Sequence, residues 1–145
     1  MLPSVPADLL TVLRDVNRKA AFNVWCGIEV LTAETGRVEI GLVWKPDLGQ
    51  YSGFLHAGVV GALIDTACGY AAATVAGTNL LAAHFSVNCL RPAVGNTFTA
   101  RATVVKAGKL QVFTTCELLA TSGTEQKLVA IGETLLTVMS GGKPG

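Results

Sequence analysis

The feature that most constrains the fold is a long apolar stretch in the middle of the chain. Residues 56–76, HAGVVGALIDTACGYAAATVA, carry only one residue that is surely charged, Asp65. The stretch is about long enough to cross a bilayer. Its Ala- and Gly-rich composition, its central carboxylate and the lack of basic flanks argue against a membrane span. We therefore predict a helix from His56 to Ala76 that is buried on nearly all sides, with small residues that let a sheet approach closely.

After Gly77 the hydrophobic pattern changes to period two. Long Val- and Thr-rich runs separated by turn residues predict four strands. The predicted strands are Leu81–Leu90, Thr97–Lys106, Leu110–Thr121 and Gln126–Met139. The pairs Gly95-Asn96, Gly108-Lys109 and Ser122-Gly123 are typical of hairpin connections. We therefore expect these four strands to form an antiparallel meander.

An amphipathic helix and a hairpin are predicted before this block. Apolar residues recur at helical spacing from Ala7 to Phe22, so residues 1–26 are expected to be an N-terminal helical region. Alternating patterns predict two strands, Ile28–Ala33 and Arg37–Trp44. Residues Lys45–Gly53, with one proline and two glycines, then form a loop that leads to the long helix.

The pattern as a whole predicts an α+β fold. A curved antiparallel sheet wraps around a long central helix, with the N-terminal amphipathic helix beside it. A length of 145 residues fits a single domain, residues 1–145, with a flexible tail at 140–145. Because one sheet covers only about half of a helix, the other side needs either a partner subunit or the N-terminal helix.

Charge and composition exclude several classes of protein. The chain is 50% hydrophobic and 14% charged, with a net charge of +1 and no basic block. A nucleic-acid binder is therefore not expected. So few charges beside so much apolar surface suggest that part of the exterior is buried against a second copy of the chain. Residues 1–7 lack the pattern of a secretory signal, so we expect a cytoplasmic protein.

The cysteines do not have the spacing of a metal or redox site. Cys26, Cys68, Cys89 and Cys116 form no Cys-x-x-Cys pair, and each lies among apolar neighbours. Four free thiols in the core are expected, rather than disulfides or zinc ligands. No metal or cofactor is predicted.

Asp65 is the residue of the long helix that most needs an explanation. Its carboxylate lies among apolar neighbours, where desolvation is costly. Either neighbouring donors hold it, or it acts as a general base or nucleophile with a pKa raised by burial. Cys68 shares its helical face and is a second, weaker candidate nucleophile, with no evident base beside it.

The start of the same helix is the second candidate feature. The first amides of a helix lack intrahelical acceptors, so those at His56-Ala57-Gly58 can stabilise an oxyanion. His56 either ties down the preceding loop or acts as a catalytic acid. Asp65 lies about 12 Å from Ala57 along the helix, too far for both to reach one reacting group. Two antiparallel copies of the helix would bring the two ends together, so we expect a site shared between subunits.

Four short segments carry a resemblance to a known family. They are QYSGFLHAG at 50–58, LID at 63–65 with GYAA at 69–72, and FSVNCLRPA at 85–93. Together they resemble the hotdog-fold acyl-CoA thioesterases of the PaaI (phenylacetate-degradation) type. The resemblance extends from about Trp44 to Met139. It implies a hotdog fold, hydrolysis of CoA thioesters without a metal or cofactor, and dimers, often paired into tetramers, with the site at the dimer interface.

Site residues follow from the resemblance by position. Asp65 matches the carboxylate that activates water or attacks the carbonyl, and Ala57 matches the residue whose amide polarises that carbonyl. Gln50 matches an Asn or Gln beside the carbonyl, from the same subunit as Ala57, whereas Asp65 comes from the other subunit. His56 matches a histidine that shapes the loop and helps to place the thioester. Without the resemblance, Gln50 would be taken as a solvated loop side chain.

The resemblance also implies a set of substrate-binding residues, and the chain differs from the family pattern at two positions, Ala57 and Ala82. Gly58, Phe54, Ala82, His84 and Arg91 are the predicted substrate-binding residues. Many relatives have Gly at the position of Ala57, so its amide can serve only if no positive φ is needed.

The second departure concerns the strand that follows the helix. Relatives commonly have Thr or Ser where Ala82 aligns, which leaves His84 or Ser86 as substitutes. Arg91, Lys106 and Lys109 are candidates for CoA phosphates, or equally solvated strand ends.

The resulting hypothesis is a homo-oligomeric thioesterase acting on small, medium or aryl acyl-CoA. An enoyl-thioester hydratase of the same fold is a first alternative, although the chain lacks the catalytic His motif of those relatives. A non-catalytic acyl-CoA binding or sensing module is the second alternative. The missing hydroxyl at Ala82 favours it. Thiol release distinguishes the main hypothesis from the binding module, and water addition to crotonyl-CoA tests the hydratase.

Overall fold

The computed structural model describes residues 8–140. Its helices and strands follow the predicted sequence of elements. They are α1 (Leu9–Lys19), α2 (Ala21–Cys26), β1 (Glu29–Glu34), β2 (Arg37–Val43), α3 (Ala57–Ala76), β3 (Leu80–Cys89), β4 (Thr97–Ala107), β5 (Gln111–Ser122) and β6 (Glu125–Val138). A short 3-10 helix, Pro46–Leu48, lies in the loop before α3. The predicted bounds of α3 and of all six strands are correct to within one residue.

The N-terminal helical region is two helices rather than one. The chain breaks at Ala20, which takes an extended conformation, and α2 continues as far as Cys26. Asp8 caps α1, since its side chain accepts a hydrogen bond from the Thr11 amide at 2.9 Å. The predicted start at Ala7 lies outside the described residues, as does most of the predicted tail.

All six strands form one antiparallel sheet in the order β1-β2-β4-β5-β6-β3. The predicted meander of the last four strands is therefore wrong at its first connection. β4 pairs with β2 and β5, so both of its edges are occupied and β3 pairs with β6 instead. Gly95-Asn96 is thus part of a crossover and not a hairpin turn, and β3 is left at the edge of the sheet.

α3 crosses one face of this curved sheet and contacts every strand. Its Leu63, Ile64 and Ala67 are fully buried against the sheet with Phe98 and Leu118. By length and composition it is also the one helix among the described residues that could cross a membrane, but 56% of its most apolar window is buried within the protein. The arrangement is the expected hotdog fold, and we call the α3 side of the sheet the helix face and the opposite side the outer face.

The N-terminal helices cover one flank of α3. A buried hydrogen-bonded cluster joins them to it: the Tyr70 hydroxyl donates to Asn17 Oδ1 at 2.8 Å, and Asn23 Nδ2 donates to the Tyr70 oxygen at 3.1 Å. Asn17 Nδ2 also donates to the Ile28 carbonyl at 2.7 Å, at the entrance to β1. This Asn17–Asn23–Tyr70 cluster fixes α2 beside the middle of α3.

Candidate active site

Asp65 lines a cavity of about 310 Å³ between α3, the N-terminal helices and the start of β3. The walls are mostly apolar, with Leu13 and Val16 from α1 and Ala82 from β3. Such a cavity is large enough for a small acyl group.

The Asp65 carboxylate is half-buried and has no partner within residues 8–140: no donor lies within hydrogen-bond distance and no cation pairs with it. Burial raises the pKa of Asp65 above its ordinary value. The structural explanation offered above, a carboxylate held by neighbouring donors, therefore finds no donor in this part of the chain. A carboxylate with a raised pKa that faces a cavity is typical of a general base.

The start of α3 offers one free amide. His56 is the N-cap, and its Nδ1 accepts a hydrogen bond from the Gly58 amide at 2.8 Å. The Val59 and Val60 amides both donate to the His56 carbonyl, at 2.9 and 3.1 Å. Among the described residues nothing accepts from the Ala57 amide, so this N–H group is available to a ligand.

Ala57 does not need a glycine-like conformation. Within residues 8–140, every residue with positive φ is a glycine, and Ala57 is the first residue of the helix. Gly58, by contrast, has a steric reason to lack a side chain, because a Cβ there would lie 2.9 Å from His56 Nδ1. Gly58 thus contributes by allowing His56 to cap the helix, and its own amide is already used.

Gln50 and Ala57 line a second cavity, of about 360 Å³. The Gln50 side-chain oxygen accepts from the Ser52 amide, and from the Phe54 amide at 3.4 Å. Among the described residues, nothing accepts from the Gln50 side-chain nitrogen, so this group can donate to a ligand. Phe54 and Arg91 line the same cavity, so the structure brings four of the predicted site residues together.

The two cavities lie at opposite ends of the edge strand. The Asp65 cavity includes the first residues of β3, Leu80 to Ala82, whereas the Ala57 cavity includes its last residue, Cys89. Asp65 and Ala57 are thus on different cavities of the same chain. We call them the Asp65 half-site and the Ala57 half-site.

Several sequence-predicted residues lie elsewhere. His84 pairs with Leu135 and Ser86 with Glu133, on the outer face, so within one chain neither reaches Asp65 in place of the hydroxyl missing at Ala82. Thr66, next to Asp65, does line the cavity.

The basic residues Lys106 and Lys109 also lie away from both half-sites. They border a separate surface depression with Leu110 and Phe113.

Three of the four predicted core thiols are buried, Cys89 is not, and Cys68 does not line the Asp65 cavity. Cys68 is fully buried and faces the sheet rather than the Asp65 cavity; a hydrogen bond with Cys116 lowers the pKa of its thiol. Cys89 is exposed at the end of the edge strand, which corrects the prediction that it is buried. The cause is that β3 has no neighbour on one side, which the local sequence does not reveal.

Asn23 and Tyr70 both line the Asp65 cavity and were not among the predicted site residues. The sequence carries one signal, the two asparagines Asn17 and Asn23 in the N-terminal helical region. Asparagine is unusual at a buried position of a helix. Their common partner, Tyr70, is 47 residues beyond Asn23, so only the fold connects them.

Among the described residues, no three His, Cys, Asp or Glu side chains come close enough to bind a metal ion together.

Comparison with known proteins identifies the family. A model of the thioesterase superfamily matches residues 52–127, which include Asp65, Ala57, His56 and Phe54 but not Gln50. The chain belongs to the thioesterase superfamily.

Solved structures of this superfamily match nearly the whole chain. A thioesterase family protein from Silicibacter pomeroyi is 33% identical with a TM-score of 0.88, over 92% of this chain and 100% of that one. Two others share the fold: a thioesterase from Haemophilus influenzae (24% identity, TM-score 0.80, 92% of each chain) and the PaaI protein of the Escherichia coli phenylacetic acid degradation operon (22%, 0.76, 93% and 99%). A search of curated proteins gives no match.

Proposed function

We propose that this thioesterase superfamily protein hydrolyses acyl-CoA thioesters in a site formed between two protomers of a homodimer. The observation that carries the proposal is the Asp65 carboxylate, half-buried, unpartnered among the described residues and facing a cavity that can take an acyl group. The superfamily supports thioester hydrolysis in general. The acyl-CoA substrate and the shared site are argued below from the arrangement of the half-sites.

The first step concerns the edge strand. β3 is ten residues long, and its free edge carries exposed apolar side chains such as Leu81 and Phe85. A long apolar edge strand exposes unpaired backbone groups and favours pairing with another chain. If β3 pairs antiparallel with β3 of a second protomer, a two-fold axis passes between the strands.

The second step is where that pairing places the half-sites. Antiparallel pairing sets the start of one β3 against the end of the other. The Asp65 half-site borders the start of the strand, and the Ala57 half-site borders its end. The Asp65 half-site of one protomer therefore adjoins the Ala57 half-site of the other, twice per dimer.

The combined site contains what thioester hydrolysis needs. Asp65 of one protomer takes a proton from a water molecule, whose oxygen attacks the thioester carbonyl carbon. Negative charge moves to the carbonyl oxygen, which accepts hydrogen bonds from the Ala57 amide and the Gln50 side-chain amide of the other protomer. The C–S bond then breaks, and the proton held by Asp65 passes to the CoA thiolate. The products are the free acid and CoA.

Substrate placement follows from the walls of the two half-sites. The apolar Asp65 cavity receives the acyl group. Phe54 and Arg91 line the Ala57 half-site, where the pantetheine arm would leave the carbonyl, and Arg91 is an exposed residue. Guanidinium groups bind phosphate oxygens well, so we assign Arg91 to the CoA phosphates.

The test is thiol release over a panel of short, medium and aryl acyl-CoAs. We expect Asp65→Asn to lower kcat/KM by about 10²- to 10⁴-fold, the usual contribution of a general base. Asp15→Asn, which changes an exposed carboxylate of α1, is the matched control. Wild-type rates for Asp65→Asn would refute the proposal. Tight binding of intact acyl-CoA with no thiol release would favour the binding module instead.

A further inference from the structure

Asn23 offers an unused hydrogen-bond acceptor at the wall of the Asp65 cavity. The residue is 8% exposed and lines that cavity. Its Nδ2 group donates to Asn17 Oδ1 at 3.0 Å and to the Tyr70 hydroxyl oxygen at 3.1 Å, which engages both amide hydrogens. Within residues 8–140 no donor reaches Asn23 Oδ1. Because this oxygen is not fully buried, water can reach it. A bound ligand that covers it must supply a donor or leave it buried without a partner, which is costly.

The surrounding cluster fixes the orientation of this amide. The Tyr70 hydroxyl gives its hydrogen to Asn17 Oδ1, so it can only accept from Asn23. Turning the Asn23 amide over would set its oxygen against two acceptors and lose both hydrogen bonds. The oxygen is therefore the polar group that Asn23 leaves to the cavity.

The size of the cavity limits what can reach this oxygen. A volume of 310 Å³ holds about ten non-hydrogen atoms at about 30 Å³ each, the share of a water molecule in the liquid. Asp65 is on α3 and Asn23 is on α2, and both line the cavity. An acyl group whose carbonyl is at Asp65 therefore directs its far end towards the N-terminal helices.

We propose, building on the function proposed above, that Asn23 is a specificity-determining residue that selects acyl groups with a hydrogen-bond donor at their far end. The substrate class is an acyl-CoA of about six to ten non-hydrogen acyl atoms that ends in a hydroxyl or amino group. An acyl group with a plain hydrocarbon end covers Asn23 Oδ1 without satisfying it, whereas a hydroxyl restores the missing hydrogen bond.

The test compares matched pairs of substrates. We expect the wild-type protein to hydrolyse 6-hydroxyhexanoyl-CoA or 8-hydroxyoctanoyl-CoA with a kcat/KM about 10- to 100-fold above that of the unsubstituted acyl-CoA of the same length. Asn23→Leu, which keeps the size but removes the acceptor, should bring this ratio to about one or below. The wild-type ratio tests the proposal even if the variant does not fold.

A control separates recognition from structural support. Asn17→Asp keeps the oxygen that accepts from the Tyr70 hydroxyl and from Asn23, but it loses the donor to the Ile28 carbonyl, and residue 17 does not line the cavity. This variant should therefore lower stability and leave the substrate ratio as in the wild type. A ratio near one in the wild type, or an equal change of ratio in Asn17→Asp and Asn23→Leu, would overturn the assignment of Asn23 while hydrolysis itself stands. Absence of thiol release from every acyl-CoA would overturn both proposals.

Discussion

Gly61 of α3 lies directly against the ring of Phe85 of β3: a Cβ on Gly61 would be 3.5 Å from Phe85 Cε2. Gly61 is the midpoint between Ala57 and Asp65 along the helix, and Phe85 is at the middle of the edge strand. One two-fold axis near this contact would therefore pair the β3 strands and also set each Asp65 opposite a partner's Ala57. The pairing of the edge strands and the separation of Asp65 from Ala57 along α3 thus both require an axis near the Gly61–Phe85 contact.

Phe85 tests this arrangement. Phe85→Asp places a carboxylate beside the axis, so we expect the dimer to dissociate and kcat/KM to fall by about 10²-fold or more as the shared site is lost. Molar mass from light scattering and thiol release are the measurements. Phe113→Asp is the matched control, since both rings are 48% exposed but Phe113 lies on the outer face. A dimeric, active Phe85→Asp protein would rule out an axis at this contact.

The Ala57 amide can be removed without changing a side-chain function. Proline is favoured at the first position of a helix, and His56, with φ −59° and ψ 135°, already has the conformation that precedes proline. We expect Ala57→Pro to fold normally and to lose about 10²- to 10³-fold in kcat, the usual effect of losing one oxyanion donor. Ala57→Ser, which keeps the N–H group, should remain active. Equal activity of the two variants would exclude this amide from the site.

Mixed dimers test whether the half-sites come from different protomers. A dimer of one Asp65→Asn chain and one Ala57→Pro chain has one site with both defects and one with neither. Refolding the two inactive variants together in equal amounts should therefore restore about one quarter of wild-type activity, because half of the dimers are mixed. No recovery, despite mixed dimers detected by tagged chains, would place the two residues in a site of one protomer.

The raised pKa of Asp65 has opposite consequences for activity and stability. The folded protein holds this proton to higher pH than the unfolded chain, so stability falls as pH rises from the ordinary carboxyl pKa through the raised one. Asp65→Asn should therefore have a higher Tm than the wild type above that window, with the difference vanishing below about pH 3. Wild-type kcat/KM should rise with pH over the same window. A Tm difference independent of pH would contradict this account.

Gly132 tests the packing that holds the edge strand. A Cβ there would lie 2.6 Å from the Ser86 carbonyl oxygen of β3 and 2.7 Å from Ile64 Cγ2 of α3. Because a backbone oxygen in a ladder cannot move freely, Gly132→Ala should lower the free energy of unfolding by about 1–3 kcal/mol, measured with urea. Gly69→Ala, whose nearest neighbour is Leu136 Cδ2 at 3.7 Å, should be neutral or stabilising by up to about 1 kcal/mol. Wild-type stability of Gly132→Ala would contradict the packing argument.

The secondary structure was largely predictable because its signals are local. Alternation along each strand and the apolar run of α3 placed their bounds to within one residue. The break at Ala20 was missed, since the apolar period continues across it and only the tertiary contacts of Asn17 and Asn23 reveal that a second helix follows. The family resemblance predicted Asp65, Ala57 and Gln50 as site residues, and the structure places them on the walls of the two half-sites.

The sequence by itself determined the bounds of most helices and strands and predicted candidate site residues within them, because helical and strand periods and the cap at His56 depend on neighbours a few residues away. Only the tertiary structure decided that β3 lies at the edge beside β6, that this separates Asp65 from Ala57 into two cavities, and that Asn23 keeps a free acceptor. Strand order and buried hydrogen bonds depend on partners far apart in the chain, such as Asn23 and Tyr70, and no local pattern records which of them will meet.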